Sequence, residues 1–313
     1  MEVSGYFWFG FIVFILIMLV LDLYVFHKKD EVIKIKSALL WSAFWIALAL
    51  VFNAGIYFFE GKKQAFDFFT AYILEKSLSV DNLFVFIMIF GFFNIKSEYQ
   101  HRILFWGIIG ALIMRAIFIF AGVALITKFA WIMYLFGAFL IYTGIHMLFE
   151  KDDKEFDPSK NIVIRAFRKF MPVTNEIKDH SFFVRINKVL YATPLFVALL
   201  LIEASDVIFA VDSIPAVLSV TSDVFIVFTS NIFAILGLRS LYFALSGVMQ
   251  YFKYLKYALA FILSFIGIKM CINEFAKEMD FSFHISNVVS LSVIVSALTI
   301  SIVASIISEK RKT

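Results

Sequence analysis

Nine stretches of this sequence are apolar for about the thickness of a lipid bilayer, at 5–26, 37–59, 68–93, 103–127, 130–149, 189–214, 224–249, 254–272 and 285–307. A helix that crosses the hydrocarbon core needs about 20 mostly apolar residues, whereas a barrel strand needs only about 10. Backbone N–H and C=O groups find no water in the hydrocarbon, so every one must be paired within the protein. Runs of this length satisfy that as helices. Of the 313 residues, 62% are hydrophobic and only 17% charged, too little charge to clothe a soluble domain. The expected fold is an all-α polytopic membrane protein, residues 1–313 forming a single transmembrane domain of about nine helices. The first run has no positive segment before it and extends to Phe26, so it reads as a retained helix rather than a cleaved signal.

Orientation follows from the basic residues. With the N-terminus outside, segments 27–36, 94–102, 150–188, 250–256 and 308–313 face the cytoplasm and carry 20 Lys and Arg, against 4 in the outer segments. Cytoplasmic loops hold the excess of positive charge, so the C-terminus is expected in the cytoplasm of a cell whose inner membrane the chain crosses. Loop 150–188 is the one long connection. Its stretch NIVIRAFRKF interleaves Ile162, Ile164, Phe167 and Phe170 with Arg165, Arg168 and Lys169, a pattern expected of an amphipathic helix on the anionic leaflet or of a solvated tether.

The third to fifth spans share an order of residues with the sixth to eighth. Val80-Asp81-Asn82 answers to Val211-Asp212-Ser213, and another acid precedes each Asp by six residues, Glu75 and Asp206. Arg115 lies seven residues before Gly122 and Arg239 eight before Gly247, and Gly144-Ile145-His146-Met147 matches Gly267-Ile268-Lys269-Met270. Three matches in order suggest a duplicated three-helix unit. Three is odd, so the copies are expected in opposite orientation, a 3+3 inverted repeat of the kind found in secondary transporters.

Polar residues inside the spans indicate the chemistry. LEKSLSVDNLFVF places Glu75, Lys76, Asp81 and Asn82 in the third span, and LIEASDVIFAVDSIPAVL places Glu203, Asp206, Asp212 and Ser213 in the sixth. An ionised Asp at a helix centre costs about 2.5–3.5 kcal/mol on insertion scales, so five carboxylates require a cation, protons or partner charges. Lys76, Arg115 and Arg239 can neutralise at most three. The remaining donors are carboxylate, amide and hydroxyl oxygens, a set suited to Mn²⁺, Ca²⁺ or Mg²⁺. His146, near the inner end of the fifth span, reads as an interfacial side chain. On a straight helix Asp81 lies about 120° round from Glu75, and Asp212 likewise from Asp206. Pro215 is therefore expected to break the sixth helix and swing Asp212 inward. Asp22 is placed at a vestibule or the interface, and Asn53 and Asn231 as interhelical hydrogen-bonders.

These motifs, with SFFVRINKVLYATPL and TSNIFAILGLRSLYF, resemble the TerC family of integral membrane proteins, most closely its Alx-type members. The resemblance implies export of Mn²⁺ across the cytoplasmic membrane. Mn²⁺ would be the transported substrate rather than a cofactor, with Glu75, Asp81, Asn82, Glu203, Asp206, Asp212 and Ser213 along its path.

No Walker motif, no basic stripe for nucleic acid and a single Cys, Cys271, are found in the sequence, and no enzymatic activity is expected. Two other readings remain. A biogenesis or scaffold factor would use the 150–188 loop as its partner surface. An intramembrane aspartyl protease would need only two of the acids, and neither Tyr-Asp nor Gly-x-Gly-Asp occurs in the spans.

Overall fold

The computed structural model describes residues 5–26, 35–129, 131–149, 162–174, 181–246, 254–279, 281 and 283–310; the side chains of Asp22 and Asp81 are outside that description. The chain forms helices α1 (Gly5–Phe26), α2 (Ile35–Phe59), α3 (Lys62–Phe92), α4 (Ser97–Lys128), α5 (Ile132–Phe149) and the short α6 (Ile162–Phe167). A hairpin of β1 (Phe183–Ile186) and β2 (Val189–Ala192) follows. Then come α7 (Pro194–Leu218), α8 (Val224–Leu236), α9 (Leu238–Leu245), α10 (Leu255–Glu278) and α11 (Asn287–Lys310). Seven helical stretches among the described residues are long and apolar enough to cross a membrane: α2, α4, α5, α7, α8 with α9, α10, and α11. A count of nine adds α1, whose apolar stretch is Trp8–Leu21, and α3, whose apolar run is interrupted by acids and lysines.

Local chemistry sets the boundaries. α3 ends on Asn94 in the left-handed region (φ 48°), with Ile95 N–H donating to the Phe90 carbonyl at 2.9 Å, a Schellman-type stop. Asn187 and Lys188 both take positive φ, as a two-residue type I′ hairpin turn requires, and they join β1 to β2. The all-α membrane architecture holds, with this hairpin as a small addition, and one boundary is corrected: the sixth span begins at Pro194 rather than 189, because Val189–Ala192 is strand. Asp223 caps α8, its carboxylate accepting from Phe225 N–H at 2.9 Å and Ile226 N–H at 3.3 Å.

The expected break at Pro215 does not occur. α7 continues through it to Leu218, because Pro215 stands in the last turn, where little helix remains to be disrupted. The interruption lies one span later, at Gly237 between α8 and α9.

α8 is the central element, with all but two of its residues buried, and it packs against α3 and α4. α7 packs on the same two helices, and α5 lies along α10. Rings of Phe11, Phe52, Phe68, Phe225 and Phe233 fill the space between α1, α2, α3 and α8, with Phe52 and Phe233 centroids 4.8 Å apart. Outward-facing residues such as Val51, Phe58, Ile208 and Ile300 are apolar and exposed, as a surface in contact with lipid tails demands. Of the long connection, α6 is only six residues. Its Ile164 is buried under the bundle and Phe167 lies 5.4 Å from the Phe196 ring, whereas Phe170 is 88% exposed.

Candidate functional site

A cavity of about 250 Å³ lies between α3, α4, α5, α7 and α10, with the exposed Ile208 and His146 at its rim. Its polar lining is Asn82, Arg115, Thr143, His146, Asp212 and Ser213, and its remaining walls include Leu78, Ile208, Leu259 and Leu263. The Thr143 hydroxyl donates to the Asp212 carboxylate at 3.2 Å, joining α5 to α7. Ser213 is 2% exposed, and its hydroxyl has no hydrogen-bond partner among the described residues. A buried hydroxyl without a partner costs about 1–3 kcal/mol of lost solvation, so its placement on a cavity wall calls for a water or an ion.

Beside this cavity stands a buried charge centre. Arg115 of α4 is paired with Glu75 of α3 and, at 3.3 Å, with Asp206 of α7. The same guanidinium donates to the Asn231 amide oxygen of α8 at 3.3 Å. One guanidinium thus ties together four helices. With both carboxylates ionised the three groups together carry a net charge of minus one. Breaking such a cluster from one side leaves charges stranded in low dielectric, which is why its geometry is expected to be held firmly.

The Integral membrane protein TerC family matches residues 60–313. The chain belongs to the TerC family. An uncharacterized membrane protein of Myxococcus xanthus is 52% identical over 97% of this chain and 92% of its own length. The Salmonella typhi protein named "Putative membrane-bound redox modulator Alx" is 47% identical over 95% of this chain and 92% of its own. The Escherichia coli K12 protein of the same name is 46% identical over the same shares. No solved structure matches the chain.

In this TerC-family chain the residues singled out by sequence divide among several places. Asn82, Asp212 and Ser213 share the cavity, and Glu75 and Asp206 meet at Arg115. Because α7 is straight, Asp206 faces α4 while Asp212 faces α5, as the 120° offset requires. Glu203 stands one turn from Asp206 on α7, close enough for the two carboxylates to repel, and it sits against the bare Cα of Gly110 on α4, where any Cβ would collide with it. Among the described residues no three His, Cys, Asp or Glu side chains gather closely enough to hold a metal ion together. Lys76 reaches across to the Ala234 carbonyl of α8 at 3.1 Å. Arg239 is buried on α9, and Asn53 has an amide oxygen buried without a partner among the described residues. Asp22 and Asp81 continue α1 and α3 in backbone, and their side chains lie outside the described residues.

Sequence reasoning missed three elements. Thr143 lines the cavity although it was unmarked, and His146, read as interfacial, is exposed and stands at the rim of the same cavity. Their spacing of three on one helix, on the face that meets α7, was the available signal. A second polar network lies at the other end of the bundle. Lys269 donates to the Asn287 amide oxygen at 2.8 Å, and the Asn287 amide donates to Asp67 at 2.8 Å and to the Val220 carbonyl at 2.9 Å. Asp67 and Asn287 border a larger cavity of about 720 Å³ that also reaches Lys63, Glu274 and His284.

Proposed function

We propose that this protein exports a divalent cation, Mn²⁺ in the first instance, across the cytoplasmic membrane by secondary transport coupled to protons. The observation that carries the reading is the cavity at Asp212. One carboxylate, an amide and two hydroxyls converge there, beside an Arg115 centre whose two acids outweigh its one positive charge. A cavity of about 250 Å³ has room for an ion with part of its water shell, since water occupies about 30 Å³ per molecule in the liquid. Glu75, Asp81, Asn82, Glu203, Asp206, Asp212 and Ser213 form the path in this reading, supported by Asp22, Asn53, Lys76, Arg115, Asn231 and Arg239.

The same proposal includes nine spans, an outer N-terminus and the inverted repeat. Its support is reciprocal packing. Gly144 of α5 lies against Ala260 and Ser264 of α10, and Gly267 of α10 lies against Gly137 and Ile141 of α5. Adding 123 to each α5 number and subtracting it from each α10 number turns one set into the other, as a two-fold axis between repeats demands. α3 on α8 and α4 on α7 exchange in the same way. In that orientation the Asp212 cavity lies near the bilayer midplane, with Leu259 toward the inner end of α10 and Asp212 past the middle of α7 toward its outer end. The cavity at Asp67 is then the outer vestibule. The relatives' name speaks of redox modulation, but this chain has one thiol and no dithiol to shuttle, which favours the cation reading.

Purified protein in liposomes loaded with a Mn²⁺-sensitive dye tests the proposal. Mn²⁺ flux is expected from the native chain and its loss from Asp212→Asn. Absence of flux from a folded native chain would overturn the transport reading and return attention to the scaffold role.

A further inference from the structure

Two side chains of the Asp212 cavity supply donors that an oxygen-only site does not use. α5 presents Thr143, His146 and Met147 at i, i+3 and i+4, so the three share one face, and all three line the cavity. Thr143 fixes that face against Asp212 at 3.2 Å. His146 and Met147 therefore stand about one turn, or roughly 5 Å, along the same wall. Across the cavity α10 contributes only Leu259 and Leu263. Arg115 is a cation and cannot bind another. The ligands on hand for a divalent ion are then one carboxylate, one amide oxygen, two hydroxyls, one imidazole nitrogen and one thioether sulfur. Ser213, buried on that wall with an unpaired hydroxyl, is an independent sign that the space takes a polar occupant.

This composition bears on which ion fits. Ca²⁺ seeks six to eight oxygen ligands, and Mg²⁺ holds its waters and prefers carboxylates and phosphates. A single carboxylate serves both poorly. Imidazole and thioether are ligands for first-row transition metals, whose affinities for nitrogen-containing sites rise from Mn²⁺ through Fe²⁺ to later members. We propose that His146 and Met147 are the specificity-determining residues of this cavity, making it a mixed oxygen, nitrogen and sulfur site that takes transition-metal dications and turns away Mg²⁺ and Ca²⁺. The inference rests on the transport reading and adds to it the class of ion.

The test uses the full chain in proteoliposomes, with Mn²⁺ flux measured against increasing Ca²⁺ or Mg²⁺. The native chain is expected to carry Mn²⁺ through an excess of either competitor. His146→Gln, which keeps an amide oxygen but loses the ring nitrogen, and Met147→Leu, which keeps volume but loses sulfur, are each expected to become roughly tenfold more sensitive to Ca²⁺ and Mg²⁺. Electron spin-echo spectroscopy of Mn²⁺ bound to detergent-solubilised protein reads the ligand directly. Modulation from ¹⁴N is expected in the native chain and should vanish in His146→Gln, whether or not that variant transports. Bound Mn²⁺ without ¹⁴N coupling, or variants that retain native discrimination, would overturn the inference and leave transport intact. A native chain that moves no Mn²⁺ would instead remove the transport reading itself.

Discussion

Lys76 on α3 donates its ammonium group to the Ala234 carbonyl of α8, 3.1 Å away, at the point where that span is interrupted by Gly237. A helix that stops inside a protein leaves its last carbonyls without partners and its negative dipole end exposed, and a cation there answers both. The approach is close. An ideal Cβ at Gly237 would lie 2.9 Å from the Lys76 nitrogen and 3.1 Å from Trp45 Cβ. The lysine that sequence reading offered as a partner for acids is in fact committed to the backbone of the central span.

Lys76→Met is therefore expected to destabilise the protein by about 1–3 kcal/mol, the cost of a buried carbonyl left unpaired. Gly237→Ala should also destabilise it, because Trp45 and Lys76 would have to move. Gly55→Ala, in α2 with open space around it, should be neutral or stabilising by up to about 1 kcal/mol. Thermal unfolding in detergent ranks the three, and equal midpoints for Lys76→Met and the native chain would refute the capping role.

Arg115 offers a sharper measurement. Arg115→Leu strands Glu75 and Asp206 without their cation, and removing one partner of a buried pair costs about 3–5 kcal/mol. Adding Glu75→Gln and Asp206→Asn to Arg115→Leu should restore much of that loss, since the stranded charges go with it. A triple variant no more stable than Arg115→Leu would mean that the three residues do not act as one cluster.

The interface of α5 with α10 depends on missing side chains, as close helix packing in membranes often does. A Cβ at Gly144 would come within 2.6 Å of the Ala260 carbonyl, and a Cβ at Gly267 within 2.9 Å of the Ile141 side chain, so both Gly→Ala changes should lower the unfolding midpoint. Gly122→Ala meets only the tips of Leu218 and Ile214, at 3.2 and 3.6 Å, and should be far milder. If the repeat is real, Gly144→Ala and Gly267→Ala will destabilise by similar amounts, and widely different midpoints would count against it.

The helical architecture was legible because apolar length is a direct image of bilayer thickness, and it placed the ends of the long helices to within about six residues, polar ends such as Lys62–Asp67 and Ser97–Arg102 escaping a count of apolar length, while two points need a separate reason. Val189–Ala192 is apolar and adjoins α7, and a short apolar run cannot be assigned to strand or helix from hydropathy alone. Gly237 sits in an apolar run where a glycine is usually tolerated, while Pro215, the stronger breaker by chemistry, falls too near the end of α7 to break it. At the site, Asp212, Ser213 and Asn82 were readable as polar residues out of place in a membrane. Thr143 and His146 were not, because their role depends on which face of α5 meets α7, and that is a matter of packing between distant segments.

Topology is open to labelling. With Cys271 replaced, single cysteines at Lys62 and Thr221 are expected to react with an impermeant maleimide added to intact cells. Cysteines at Lys160 and Lys310 should react only after permeabilisation. Residue 160 labelled from outside would reverse the orientation and, with it, the assignment of the Asp67 cavity to the outer face.

Energetics gives the last prediction. The cell interior is negative, and moving one positive charge outward against 100 mV costs about 2.3 kcal/mol, so a divalent ion costs about twice that before any concentration gradient. Some downhill process must supply it. Carboxylate oxygens can hold a proton or ligate a metal but not both at once, so Asp212 and the acids beside it meet the minimum requirement of an exchanger. If two protons enter for each Mn²⁺ that leaves, no net charge moves and the electrical cost cancels. A gradient of one pH unit then adds about 1.4 kcal/mol per proton in the direction of export. Proteoliposomes with the potential clamped are thus expected to move Mn²⁺ faster toward the acidic side, and Asp212→Asn should remove both the flux and its pH dependence. Native flux that ignores the imposed pH gradient would leave the cation site in place and eliminate proton coupling.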